Sequence, residues 1–163
     1  MTTAREHFIG WLRDAHGMER QAENLLGSET KVLGEFAGIA PVLAQGRTRA
    51  GAHREALEGL LEQYGTSRSV LKETVGAVVS LAQSLSGLFV NDEPVKAALA
   101  VATFAQMKVA SYAILAAAAQ QLGESETETT LRGFTEEEAE FERELMAQLE
   151  PVTQAFLQRS KPG

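Results

Sequence analysis

Residues 95–122, VKAALAVATFAQMKVASYAILAAAAQQL, decide the fold. Between Ala97 and Ala119 one charged residue, Lys108, and eleven alanines stand among Val, Ile, Leu, Phe and Met. A helix of that composition is apolar on nearly every side, so other elements must surround it. Asn91, Asp92, Glu93 and Pro94 suit a cap and first turn, and Gly123 suits the left-handed residue just past a helix end. At 1.5 Å per residue a helix over 92–122 is about 46 Å long. Its partners must be of similar length, and its alanines let them approach closely. The stretch could also span a bilayer, but Lys108, Gln106, Thr103 and Ser111 near its centre and its reliance on alanine argue for burial within protein.

On the N-terminal side, Phe8, Leu12, Ala15, Glu19, Ala22 and Leu26 recur at steps of four and three, which predicts a helix over about 3–35 with one carboxylate in its apolar stripe. Gly34 and the run Phe36-Ala37-Gly38 allow a reversal. Pro41 suits the first turn of a second helix reaching Tyr64, with the stripe Ile39, Leu43, Gly46, Ala50, His53, Leu57, Leu61 and Tyr64. Gly46 and Gly51 weaken that helix by roughly 1 kcal/mol each relative to Ala, and so mark a close approach, a bend or a lost side chain. Gly65 closes it.

Between this helix and the alanine-rich one, Leu71, Val75, Val78, Leu81 and Leu85 predict an extra crossover helix over about 70–88. After Gly123 the chain turns acidic, with ten glutamates between Glu124 and Glu150, yet Leu131, Phe134, Glu138, Phe141, Leu145 and Leu149 keep a helical stripe. Pro151 should break or bend this fourth helix, leaving a short terminal helix over 152–159. No strand alternation or repeat is visible. The expected fold is all-α: four main helices in a bundle, with a long crossover between the second and third.

The 163 residues suffice for one domain, 1–163, with a core that needs no disulfide or structural metal. Cysteine is absent, which rules out thiol catalysis and thiolate metal sites. The first thirty residues carry charges throughout and lack the zones of a signal peptide, so the expected location is cytoplasmic. A net charge of −7 and a pI near 5.0 disfavour nucleic acid as a partner. Neither a membrane nor nucleic acid is expected as a partner.

Three charged residues interrupt apolar stripes: Glu19, Lys108 and Glu138. Each costs several kcal/mol if buried without a partner. Inward carboxylates and histidines from facing helices are also how bundles build two-metal sites for iron or manganese. For Lys108 two readings stand: the long stem carries the ammonium to the bundle surface, or it pairs internally with Glu19 or Glu138. His53, alone on an apolar stripe, reads as a hydrogen-bonded core residue rather than a ligand. His7 and His16 lie off the main stripe and read as solvated. Trp11 and the methionines read as core or subunit-contact residues. Of Glu136, Glu137 and Glu138, at most one faces the core and the others form a solvated face. Arg47, Arg49, Arg54, Arg68 and Lys72 read as solvated or as partners of the acidic fourth helix.

The segments 14–21 (DAHGMERQ), 57–59 (LEG), 65–72 (GTSRSVLK), 87–93 (GLFVNDE), 104–112 (FAQMKVASY) and 151–157 (PVTQAFL), in this order and spacing, resemble the YciF-type branch of the ferritin-like bundles, a group associated with bacterial stress responses. The resemblance implies a ferritin-like four-helix bundle. Glu19 and Glu138 match two of the family's metal-binding carboxylates. Where the family has two glutamates in the third helix, this chain has Ala105 and Lys108. In the second helix the register set by Leu57-Glu58-Gly59 puts Gly46 and Arg49 where the family has His and Glu; a shifted register keeps His53 and puts Ala56 in place of the Glu. Either way that carboxylate is gone. A cation stands where two anions would hold a metal.

The leading expectation is therefore a bundle without a complete two-metal site, a non-catalytic structural or interaction protein that forms a homodimer and needs no cofactor. The alternative is an iron- or manganese-dependent oxygen- or peroxide-processing protein with an altered site built from Glu19, Glu138, Glu142 and His53, for which Lys108 must be neutral or turned away. A third expectation is a carrier whose alanine-rich helix leaves room for a small apolar ligand. No Ser-His-Asp arrangement, phosphate loop or nucleotide fingerprint is present.

Overall fold

The computed structural model describes residues 1–66 and 94–160. Four helices make it up: α1 (Ala4–Leu33), α2 (Ala40–Gln63), α3 (Pro94–Leu122) and α4 (Ser125–Arg159). Among the described residues there are no strands. The expected crossover helix over 70–88 and the cap at Asn91 and Asp92 lie outside the described residues.

Thr3 caps α1 reciprocally: its hydroxyl accepts from the Glu6 amide at 3.2 Å, and the Glu6 carboxylate accepts from the Thr3 amide at 2.6 Å. Residues 34–39 turn the chain into α2, with Pro41 in its first turn where the missing N–H costs nothing. Gly65 and Gly123 both adopt positive φ, +77° and +72°, and end α2 and α3 as left-handed residues. The short links make α1–α2 and α3–α4 two antiparallel hairpins, which join through α1 against α3 and α2 against α4.

The helix does not break at Pro151. The helix runs through it to Arg159. Pro151 removes one backbone donor, but Val152, almost fully buried, and the partly buried Ala155 and Phe156 pack on the core and hold the last turns in place.

The core has two apolar halves. Phe8, Leu12, Leu57, Leu61, Leu115 and Leu131 belong to one, and Leu33, Ile39, Leu43, Ala105, Phe141 and Leu145 to the other. Each fully buried Leu or Phe contributes about 1.5–3 kcal/mol by leaving water. A buried polar residue interrupts the apolar stripe of each helix: Glu19 on α1, His53 on α2, Lys108 on α3 and Glu138 on α4. The apolar stripes thus place a charged layer in mid-bundle.

Gly46 shows why the second helix tolerates a glycine. A Cβ built there would collide with the Phe141 ring, so the missing side chain is the seat of that ring. Gly46→Ala is expected to lower stability by about 1–3 kcal/mol through overpacking, despite the roughly 1 kcal/mol that alanine adds in a helix. Urea unfolding measures this, and Phe141→Leu in the same chain should recover part of the loss. A stabilised Gly46→Ala would refute the close packing.

Candidate functional site: a buried charged layer

Lys108 occupies the centre of the layer and is 1% exposed. Its Nζ lies 2.8 Å from Glu138 Oε1, to which it donates a hydrogen bond, and 2.9 Å from Glu19 Oε2. Both carboxylates are fully buried. The alternative of an ammonium carried to the surface is overturned, because α3 has no polar side near Lys108 and two anions face it inside. The ammonium offsets much of the cost of desolvating the two anions.

His53 forms the second positive element. Its Nδ1 sits 3.1 Å from Glu138 Oε1 and 3.4 Å from Glu19 Oε1, and its Nε2 lies 2.8 Å from Glu137 Oε2. Its ring stacks on Phe134, centroids 4.0 Å apart, and meets Tyr112 edge-on. Burial alone would push the imidazole towards neutrality, but its contacts with Glu138, Glu19 and Glu137 outweigh this and raise its pKa to about 9. At neutral pH His53 is therefore a cation. The Glu138 carboxyl is likewise raised by burial and lowered further by His53 and Lys108, with a net lowering. Two buried anions thus face two cations, with Glu137 at the surface end.

Tyr112 completes the layer by donating its hydroxyl to Glu19 Oε1. Burial first, then the neighbouring Glu19 charge, raise its pKa far above the ordinary phenol range, so it is a donor throughout the accessible pH range. Tyr112 was not singled out from the sequence, although it follows Lys108 by one helical turn and so shares its face. Phe134, part of the apolar stripe of α4, stacks on the His53 imidazole. Glu137 corrects the expectation of a solvated pair beside Glu138: its side chain is half exposed, yet it bonds His53 across the α2–α4 seam.

Further placements differ from the sequence reading. His16 is buried rather than solvated, with Nε2 2.9 Å from Glu58 Oε1; Arg54 bridges the same Glu58 and Glu23 at 2.9 and 2.7 Å. This network ties α1 to α2 because both helices turn polar edges to their shared seam. Trp11 is exposed and stacks loosely with the exposed His7, so it is not a core residue. Arg49 stays outside the core, donating to the Glu137 carbonyl at 2.9 Å with its guanidinium over the Phe141 ring. Ala56 is exposed. The inward polar residue of α2 is His53, one turn before the fully buried Leu57. Glu142 accepts from Gln106 at 3.2 Å on the α3–α4 edge and does not enter the layer. Glu29 is an unforeseen buried carboxyl, raised in pKa by burial; continuing the α1 stripe past Leu26 would have found it.

Glu19, His53 and Glu138 each offer one donor atom within 4.8 Å of the others, a set whose chemistry suits iron or manganese. The ammonium defeats the fit, since it stands at contact distance from both carboxylates where a cation would bind. Ala105 and Phe141 belong to one apolar half of the core, and the Phe141 ring lies against Gly46. The residues present do not fit a two-metal centre.

The charges set a pH dependence of opposite sign on the two sides. The stabilisation from protonated His53 is complete below its ordinary value of 6.5 and is lost as pH rises through about 9. That from ionised Glu138 is present above 4.5 and is lost as pH falls through its lowered value. Urea midpoints should therefore fall from pH 6.5 to 9, and His53→Gln should flatten this alkaline limb. An alkaline limb as steep in His53→Gln as in the wild type would refute the assignment.

Comparison with known proteins finds the fold in a relative. A protein from Xanthomonas campestris pv. campestris str. ATCC 33913 has the same fold, with a TM-score of 0.77 over 96% of this chain and 97% of that one at 22% identity. A family model described as "Domain of unknown function (DUF892)" matches residues 3–158. That match spans nearly the whole bundle, and the chain belongs to the DUF892 family.

Proposed function

We propose that this chain is a ferritin-like bundle in which an internal ammonium takes the place of a metal centre, and that it acts as a non-catalytic structural or interaction protein in the cytoplasm, related to the YciF-type bacterial stress proteins. The observation that carries the reading is Lys108 Nζ held 2.8 and 2.9 Å from two fully buried carboxylates. A centre whose anions are already matched by an ammonium and an imidazolium has little left with which to hold or activate a ligand.

Elemental analysis of protein expressed with added iron and manganese tests it. The expected content is far below one metal per chain. Stoichiometric iron or manganese would overturn the reading and favour the alternative, a peroxide-processing protein using Glu19, His53 and Glu138; the convergence of those three donors is what supports that second reading.

The interaction role is proposed to begin with a second copy of the chain. Leu99 and Ile114, 51% and 60% exposed, lie with the exposed Ala110, Ala113 and Ala117 at helical spacing along α3. Such a row of small and aliphatic residues suits close packing against a like helix. Light scattering should give twice the chain mass of 17.6 kDa, and Ile114→Glu should return it towards the monomer value. A wild-type monomer would refute the dimer.

A further inference from the structure

We infer that two copies of this chain meet antiparallel along α3, about a two-fold axis at the level of residue 108. This rests on the dimer proposed above and adds its geometry. On the outward side of α3, Leu99, Thr103, Gln106, Ala110, Ala113 and Ala117 follow one another at alternating steps of four and three. Thr103 is half-buried and the other five are exposed. That alternation, kept over several turns, is the spacing of a seam that faces one partner helix along its length. None of the six is charged, while each copy carries a net charge of −7, so a second copy can approach here without placing a carboxylate in the seam.

The two halves of the seam complement each other. Leu99, Thr103 and Gln106 carry the larger side chains, and Ala110, Ala113 and Ala117 carry only methyls. In a two-fold pair, whatever one residue meets on the other copy is met there in return. With the axis at the level of residue 108, antiparallel copies set Leu99 of each against Ala117 of the other, Thr103 against Ala113 and Gln106 against Ala110. Every larger side chain then lies over an alanine, and the helices can close to about 8 Å. Parallel copies would stack Leu99 on Leu99 and Gln106 on Gln106, leaving the alanine half as a gap. Ile114, next to Ala113, borders the seam, so a charge there would be pressed against the other copy.

Cysteine is absent from the chain, which makes disulfide trapping a clean test. Within one chain Leu99 and Ala117 stand about 27 Å apart along α3, and Thr103 and Ala113 about 15 Å, both too far for a disulfide. The double variants Leu99→Cys with Ala117→Cys and Thr103→Cys with Ala113→Cys are oxidised beside the four single variants and run on non-reducing gels. Both doubles should yield a covalent dimer at least about ten-fold more abundant than in the singles, because only the antiparallel pair brings the two positions together. Singles that cross-link as readily as the doubles would indicate a parallel pair. Doubles that stay uncrosslinked, while light scattering of the wild type and of the reduced variants gives a dimer, would indicate another face. Either result overturns the inference and leaves the dimer reading intact, whereas a monomeric wild type overturns both.

Discussion

The burial of one ammonium between two carboxylates is the constraint on which the bundle depends. Taking Lys108, Glu19 and Glu138 out of water costs several kcal/mol per charge, and only their mutual contact at 2.8–2.9 Å makes that tolerable. His53, protonated by the same carboxylates and by Glu137, supplies the remaining positive charge. Each of the four helices contributes one of these charges, so separating any helix from the others would leave an uncompensated charge in apolar surroundings. The layer thereby links the hairpins more specifically than aliphatic packing does. Aliphatic faces can slide against one another, whereas a buried ion pair has one register.

The apolar halves on either side set the dielectric in which this pairing acts. Phe134 and Tyr112 wall the imidazole, and Phe141 closes the neighbouring space against Gly46. Water that would screen the pair is thereby displaced, which strengthens each contact and raises the cost of losing one. A cation at 108 between two buried carboxylates makes the centre of the bundle a place that holds itself.

How much of this was legible in the sequence varies with the range of the interaction. The stripe Ile39, Leu43, Gly46, Ala50, His53, Leu57 and Leu61 is buried, and only its last member, Tyr64, is half-buried, because a helix projects every third or fourth residue to one side whatever it packs against. The turn glycines 65 and 123 and the inward placement of Glu19 and Glu138 are equally local readings. The path of α4 through Pro151 was not legible, since packing of Val152 and Phe156 decides it.

What the amino-acid order determined by itself is therefore the four main helices, their apolar faces and the three charges that interrupt them. Tertiary structure alone decided what the charges do. A lysine stem is long enough to reach either solvent or the core, and only the positions of α1 and α4 make the inward route the better one. The same holds for His16, drawn to Glu58, for Glu137, drawn to His53, and for Gly46, which is empty space until Phe141 fills it. Spacing along one helix carries no information about the distance to the next. The chemistry of this centre is set by those distances.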